Sequence, residues 1–266
     1  MPELPEIETL SRELQGITNT VITEIHFANV NLRYPLDQSL KPIEYKKIVK
    51  IFRRAKYLIF QLSEGFLIIH LGMSGRLLLV NQDCVLSKHD HVIVHLNNAK
   101  SLRYNDPRRF GCVIYKPDLT CLEHLALEPF DQKFNPQYLH QALKKKSTAI
   151  KNSILNGSIV VGVGNIYVSE SLFLSKIHPL RPSHSISLSE CYILVDSIRK
   201  VLNIAINSKG SSLRDFVNIS GAKGHATSNL LIYGKSGLAC ANNCNSTIKA
   251  LKICGRNTFY CDLCQK

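Results

Sequence analysis

The chain has 266 residues, 45% of them hydrophobic, enough for two domains with ordinary cores. Thirty-three lysines and arginines against twenty aspartates and glutamates leave a net charge of +13, which favours a polyanionic partner. There is no signal-peptide pattern and no apolar run of membrane-spanning length, so the nine cysteines point to thiols or metal ligands in a cytoplasmic protein, not to a secreted disulfide framework.

The opening MPELPEIETL carries two prolines and three carboxylates, Glu3, Glu6 and Glu8. One reading is a helix start, with Pro5 in the first turn and acids favoured by the helix dipole. The other concerns Pro2, a small residue that invites removal of Met1 and would then present a secondary amine as the N-terminus. Apolar periodicity continues through Leu14 and Ile17, which predicts a helix over residues 5–16. Short β-rich segments follow: VITEIHFANV, YLIFQL, FLIIHL, RLLLV, HVIVHL, SLRY and CVIY. Separated by SEG, MSG, NNAK and NDPRR, they predict an antiparallel sandwich or barrel with one helix attached. From about residue 130 the pattern turns helical, in QYLHQALKKK, the stretch after Thr148, VSESLFLSKI and SECYILVDSIRKVLNIAI. A Ser-, Gly- and Lys-rich stretch then leads to a cysteine-bearing tail. Charge follows the same division: residues 1–130 hold 16 basic and 14 acidic side chains, residues 131–266 hold 17 and 6. The second half is therefore expected to make most contacts with phosphate.

The tail, CANNCNSTIKALKICGRNTFYCDLC, places Cys240 and Cys244 three residues apart and Cys261 and Cys264 two apart, with sixteen residues between the pairs. Zn²⁺ takes four thiolates in a tetrahedron, and two tight knuckles joined by a hairpin supply them. A module this small has little core, so metal binding becomes its folding energy. Cys254 sits in mid-hairpin as a spare, and Arg256 falls near the hairpin tip, where a guanidinium can reach a phosphate.

Taken in order, PELPEIET, RRAKYL, HLGMSG, KHDHV, RYNDPRRFG, TAIK, VVGVGNIYVSESLF with IHP behind it, and GRNTFYC with its cysteine quartet resemble the formamidopyrimidine-DNA glycosylases, bacterial base-excision enzymes for oxidised purines. The likeness runs nearly end to end. It implies an α+β fold: an N-terminal antiparallel β-sandwich with a leading helix (1–130), a linker (131–147), a helical domain with a helix–two-turn–helix motif (148–232) and a zinc-finger β-hairpin (233–266). It also implies a monomer that acts on double-stranded DNA containing oxidised bases or abasic sites, with one structural Zn²⁺, and works in the bacterial cytoplasm at the nucleoid.

By the same resemblance Pro2 is the nucleophile. An α-amine titrates at about 7.7–8.0 against about 10.4 for lysine, so roughly a tenth of it is free base at pH 7. Glu3 shuttles protons, Glu6 and Glu170 position the terminus, Lys56 assists β-elimination, and Arg256 assists δ-elimination while gripping the lesion's phosphate. Met73 and Phe110 are wedges for the gap left by an extruded base, and Arg108 reads the orphaned partner, normally cytosine. His89 and Lys146 match DNA contacts, Lys151 matches a lysine that helps recognise oxidised purine, and Asn165 sits where the helix–two-turn–helix motif meets phosphate.

Two departures stand out. Three residues separate the first cysteines where the family usually has two, which predicts metal binding through a slightly altered loop. In ISGAKGHATSN, His225 and Ala226 replace the aromatic pair expected in the loop that closes over the everted base, so lesion preference is expected to be affected more than covalent chemistry. The competing readings are an endonuclease VIII-like enzyme for oxidised pyrimidines and a non-catalytic zinc protein that binds damaged DNA. The LPE opening, HLGMSG and DPRRFG favour the purine enzyme.

Overall fold

A computed structural model describes residues 2–28, 30–209, 219 and 230–266 of the protein. The chain divides into two compact units. The first takes in the residues through His124 with Ser208, Lys209 and Ile219; the second takes in Leu125–Asn207 and residues 230–266.

The first unit opens on helix α1 (Leu4–Glu13), which tightens into a 3-10 turn over Leu14–Ile17. Pro5 lies in its first turn, where the missing N–H leaves no bond unmade. Ile7, Leu10 and Leu14 recur every three or four residues and form the buried stripe. Eight strands follow among the described residues, in two four-stranded antiparallel sheets. One runs in the order β1 (Ile22–Phe27), β6 (Asp90–Leu96), β7 (Lys100–Asn105), β5 (Arg76–Asn81). The other runs β2 (Ile48–Arg54), β3 (Tyr57–Leu62), β4 (Phe66–His70), β8 (Cys112–Lys116). Val94, Leu102 and Tyr104 of the first sheet share one core with Phe60, Ile69 and Val113 of the second and with the stripe of α1. This is the sandwich expected from the strand pattern.

Strand β2 is missing from the predicted set. Its sequence IVKIFRR holds three basic residues, and a register shift between Ile48 and Lys50 breaks the alternation by which strands are recognised. Strand β1 is shorter than VITEIHFANV and carries a similar shift between Ile22 and Glu24.

The second unit holds α2 (Pro136–Leu143), α3 (Ile150–Leu155), α4 (Asn165–Leu174), α5 (Leu188–Asn207) and the hairpin β9 (Lys249–Ile253), β10 (Arg256–Tyr260). Lysines 144–146 fall beyond α2 and not within it. Helix α4 starts three residues before the predicted VSESLFLSKI, directly after Gly164, and ends ahead of Lys176, whose φ of 58° no right-handed helix accepts. Because α3, α5 and β10 all pack on it, α4 is buried on almost every face. Its serines return their hydroxyls to the preceding turn: Ser169 Oγ to the Asn165 carbonyl at 2.9 Å and Ser171 Oγ to that of Tyr167 at 2.6 Å. The fold is thus mixed α+β: sheets with a leading helix, a helical region, and a C-terminal hairpin bearing four clustered cysteines.

Candidate functional site

Pro2 and Glu3 stand at the entrance of α1 and are buried, Glu3 to 2% exposure. Glu3 occupies the N-cap in extended backbone, and its N–H donates to Glu6 Oε2 at 2.8 Å. The helix begins at Leu4, so Pro2 lies just ahead of its first turn. Further along α1, Glu8 receives Arg12 Nε at 2.8 Å and Arg53 Nε of β2 at 3.2 Å. Burial opposes its ionisation, but the two guanidiniums outweigh burial and lower its pKa.

Lys56 occupies the second position of a two-residue turn between β2 and β3. Arg54 and Tyr57 close that turn, and Ala55 takes a φ of 52°. The Lys56 ammonium acts on His70, whose imidazole is driven down to about 4 by burial first, then by Arg33 and Lys56. His70 Nδ1 accepts the Gly72 N–H at 3.0 Å, which leaves the neutral ring's proton on Nε2.

Met73, His89, Arg108 and Phe110 come from three loops of the first unit that meet at Asp106. The Asp106 carboxylate is fully buried and accepts Ser74 Oγ at 2.6 Å, Tyr104 OH at 3.1 Å and the Gly111 N–H at 2.9 Å. Ser74 Oγ in turn accepts the Arg108 N–H at 3.3 Å, and the Asp106 N–H donates to the His89 carbonyl at 3.1 Å. The loops touch through backbone: a Cβ on Gly72, whose φ is +62°, would stand 2.5 Å from the Phe110 carbonyl carbon. On this base Met73 (39% exposed) and Phe110 (47%) project outward, and the Arg108 guanidinium lies 4.9 Å from the Phe110 ring centre.

In the second unit Lys146 is half-buried in the turn after α2, its carbonyl accepting the His184 N–H at 2.9 Å. Lys151, near the start of α3, is 1% exposed, and its Nζ donates to Thr258 Oγ1 at 2.6 Å. Asn165, the first residue of α4, uses both amide hydrogens within the protein, one to Tyr233 OH and one to the Asn257 carbonyl, each at 3.0 Å. Lys151 Nζ also approaches that carbonyl, at 3.4 Å. Lys151 and Asn165 are thereby brought together beside β10. The neighbouring Arg256 opens that strand as an exposed residue, after the two-residue turn Cys254–Gly255 with φ of 46° and 74°.

Glu170 is buried in α4. Its Oε1 accepts the N–H groups of Ile232 at 3.0 Å and Tyr233 at 2.8 Å, and its Oε2 accepts that of Leu231 at 2.8 Å. Burial raises its pKa against the opposing pull of these donors.

The Sγ atoms of Cys240, Cys244, Cys261 and Cys264 all lie within 4.8 Å of one another, with Cys240–Cys264 at 3.7 Å and Cys244–Cys261 at 3.4 Å. Four sulfurs about 2.3 Å from a central ion would stand about 3.8 Å apart, so the spacing fits a tetrahedral metal site. Asn243 and Asn245 take φ of 52° and 60°, a conformation asparagine tolerates, and so absorb the extra residue of the first knuckle. The second knuckle is fixed by Gln265, whose Oε1 accepts the Cys261 N–H and whose Nε2 donates to the Ile177 carbonyl, both at 2.8 Å. Burial drives the Cys240 thiol up to about 12. At Cys261 the Cys264 N–H and the neighbouring thiols outweigh burial and bring it to about 7. Four thiolates this close repel, and a divalent cation at their centre lets all four ionise.

Sequence reasoning did not single out Asp106, Ser74, His70, Asn257 or Gln265. Each lies inside or next to a motif quoted for another residue, and an Asp before a proline reads locally as a turn. The expected lid, with His225 and Ala226, lies outside the described residues except for Ile219, which bonds Leu79 of β5 and Glu13 of α1 through its backbone.

Comparison with known proteins bears on both units. The formamidopyrimidine-DNA glycosylase N-terminal domain model matches residues 1–113, and the corresponding H2TH domain model matches residues 125–217. A formamidopyrimidine-DNA glycosylase of Escherichia coli O6:H1 is 43% identical over 270 residues, covering 100% of both chains, and that of Shigella boydii serotype 18 is equally similar. Two solved structures, the Lactococcus lactis Fpg with DNA containing an abasic site and a mutant of it with DNA containing Fapy-dG, each match with a TM-score of 0.90. Both are 34% identical over 100% of each chain.

Proposed function

The chain belongs to the formamidopyrimidine-DNA glycosylase family, and from that premise we propose how its own residues act. It is a DNA glycosylase with AP-lyase activity, acting on oxidised purines and abasic sites in base excision repair. Pro2, freed by loss of Met1, attacks C1′ of the damaged nucleotide with its lone pair. The glycosidic bond breaks and the base departs with the bonding electrons and a proton. Glu3 delivers a proton to the sugar's O4′ as the ring opens, leaving an iminium between Pro2 and C1′. That cation acidifies C2′. Loss of a C2′ proton, assisted by Lys56, expels the 3′ phosphate, and a second elimination assisted by Arg256 expels the 5′ phosphate.

Met73 and Phe110 fill the gap left by the extruded nucleotide, and Arg108 hydrogen-bonds the orphaned base. His89, Lys146 and Asn165 hold the DNA, Lys151 serves recognition of the oxidised purine, and Glu6 and Glu170 support the N-terminal machinery. One Zn²⁺ at the four cysteines supplies folding energy to the hairpin. The domains run 1–130, 148–232 and 233–266 with a linker between the first two, and the protein works in the cytoplasm. No helix among the described residues is long and apolar enough to cross a membrane.

The observation that carries the catalytic reading is the burial of Pro2 and Glu3 together at the mouth of α1, with the Glu3 N–H held by Glu6. Borohydride trapping on a duplex with 8-oxoguanine opposite cytosine tests it. A reduced adduct located on Pro2 by mass spectrometry is expected. An adduct on another residue, or none while tight binding persists, overturns it.

A further inference from the structure

A second group of metal-binding side chains stands in the first unit, on β1 and β6. Glu24 and His26 are two residues apart on β1 and so point to one side of the sheet, and His95 of β6 pairs directly with Glu24. A bulge creates this pairing. Ile22 faces Leu96, so an unbroken antiparallel register would set Glu24 opposite Val94. The shift between Ile22 and Glu24 makes Thr23 the extra residue and brings Glu24 opposite His95.

One ligand atom from each of the three side chains lies within 4.8 Å of the others, with Glu24 Oε1 3.1 Å from His26 Nε2. Ligands about 2.0–2.1 Å from a tetrahedral ion stand about 3.3 Å apart, so only a small rotation closes the set. The rings of His26 and His95 meet edge to face with centres 5.3 Å apart. His95 is also oriented from behind: its Nδ1 lies 2.8 Å from the Oγ of fully buried Ser101, its partner on β7. With Nδ1 donating to that hydroxyl, Nε2 carries the lone pair, the outer-shell arrangement by which metal-binding imidazoles are fixed.

We propose that Glu24, His26 and His95 form a second metal site that takes a divalent transition ion of the zinc type. Two imidazoles and one carboxylate select such an ion over Mg²⁺ or Ca²⁺, and the half-exposed position leaves room for a water ligand. The ion would clamp the edge strand β1 to β6. The site rests on none of the repair chemistry.

Calorimetric titration of ZnCl₂ into the full-length protein, its cysteine site already loaded, tests this. One further ion is expected to bind. His26→Gln and His95→Gln should each weaken it by at least about tenfold, and Ser101→Ala by about tenfold through loss of orientation. His26 is 52% exposed, so its variant should keep the metal-free unfolding midpoint of the wild type. Zinc should raise the melting temperature of the wild type and leave that of the His26→Gln/His95→Gln double variant unmoved. Uptake of no ion beyond the cysteine site overturns the proposal. So does uptake with unchanged affinity in both single histidine variants.

Discussion

Asp106 and Glu170 are buried carboxylates that each hold a loop, one in each unit, yet they gather different donors. Asp106 collects two hydroxyls and one N–H from Ser74, Tyr104 and Gly111, residues scattered over two loops and a strand. Glu170 collects three consecutive backbone N–H groups, those of residues 231–233. The β-rich unit therefore writes its loop geometry into side-chain identity at many positions. Even its glycines are fixed by it, since a Cβ on Gly111 would stand 1.8 Å from the Tyr104 hydroxyl. The helical unit writes the equivalent geometry into one glutamate, because any residue but proline supplies an N–H.

Three experiments sharpen that contrast. The largest effect is expected from Asp106→Ala, which leaves the Ser74 hydroxyl and the Gly111 N–H without their acceptor in a buried place and the Tyr104 hydroxyl with only the His70 carbonyl at 3.5 Å. At about 1–3 kcal/mol for each unmet donor, the loss should reach about 3–5 kcal/mol in urea unfolding. Opposite-base discrimination should fall with it, because Arg108 loses its footing on Ser74. A loss below about 1 kcal/mol would mean the loops are held by other means.

Next comes acid. The folded-state pKa of His70 lies near 4, below the ordinary 6.5, so the native state favours the neutral ring. Its contribution is present above pH 6.5 and is lost as pH falls toward 4, by about 3 kcal/mol in all. His70→Gln should flatten the fall in unfolding free energy over that window. The Glu190–Arg181 pair of the helical unit fails lower. Hydrogen bonding to Arg181 holds Glu190 at about 2, so its support is present above pH 4.5 and fades only toward pH 2. An unchanged pH slope in His70→Gln would show that the imidazole is not the acid-sensitive element.

The smallest effect belongs to Glu170→Gln. An amide keeps one acceptor oxygen and turns an NH₂ toward an N–H, so about 1–3 kcal/mol should be lost with the 231–233 segment loosened in hydrogen exchange. If Glu170→Gln proves costlier than Asp106→Ala, the contrast between the two units is reversed.

Much of the architecture is legible in residue order. The stripe Ile7, Leu10, Leu14 predicts α1 to within a few residues, and the long periodic run ending at Ile206 predicts α5 almost to its ends. Strand β2 is not legible, because its bulge shifts the alternation and its arginines resemble a solvated loop. The cysteine quartet is legible because metal geometry tolerates only a few spacings, and here the sulfurs do converge. Lys151 is legible as a motif residue, but nothing in TAIK shows that its ammonium is buried against Thr258.

The sequence by itself determined which chemistry the chain has at hand: a proline and a glutamate at the terminus, four thiols at the end, helices and strands with recognisable periods. Those are properties of single residues and near neighbours. Only the tertiary structure decided that Met73, Arg108 and Phe110 stand on one carboxylate, that Asn257 holds Lys151 and Asn165 beside Arg256, and that a bulge sets Glu24 against His95. The reason is physical. Buried hydrogen bonds and strand register join residues tens of positions apart, and a local pattern cannot say which buried polar group will meet which partner.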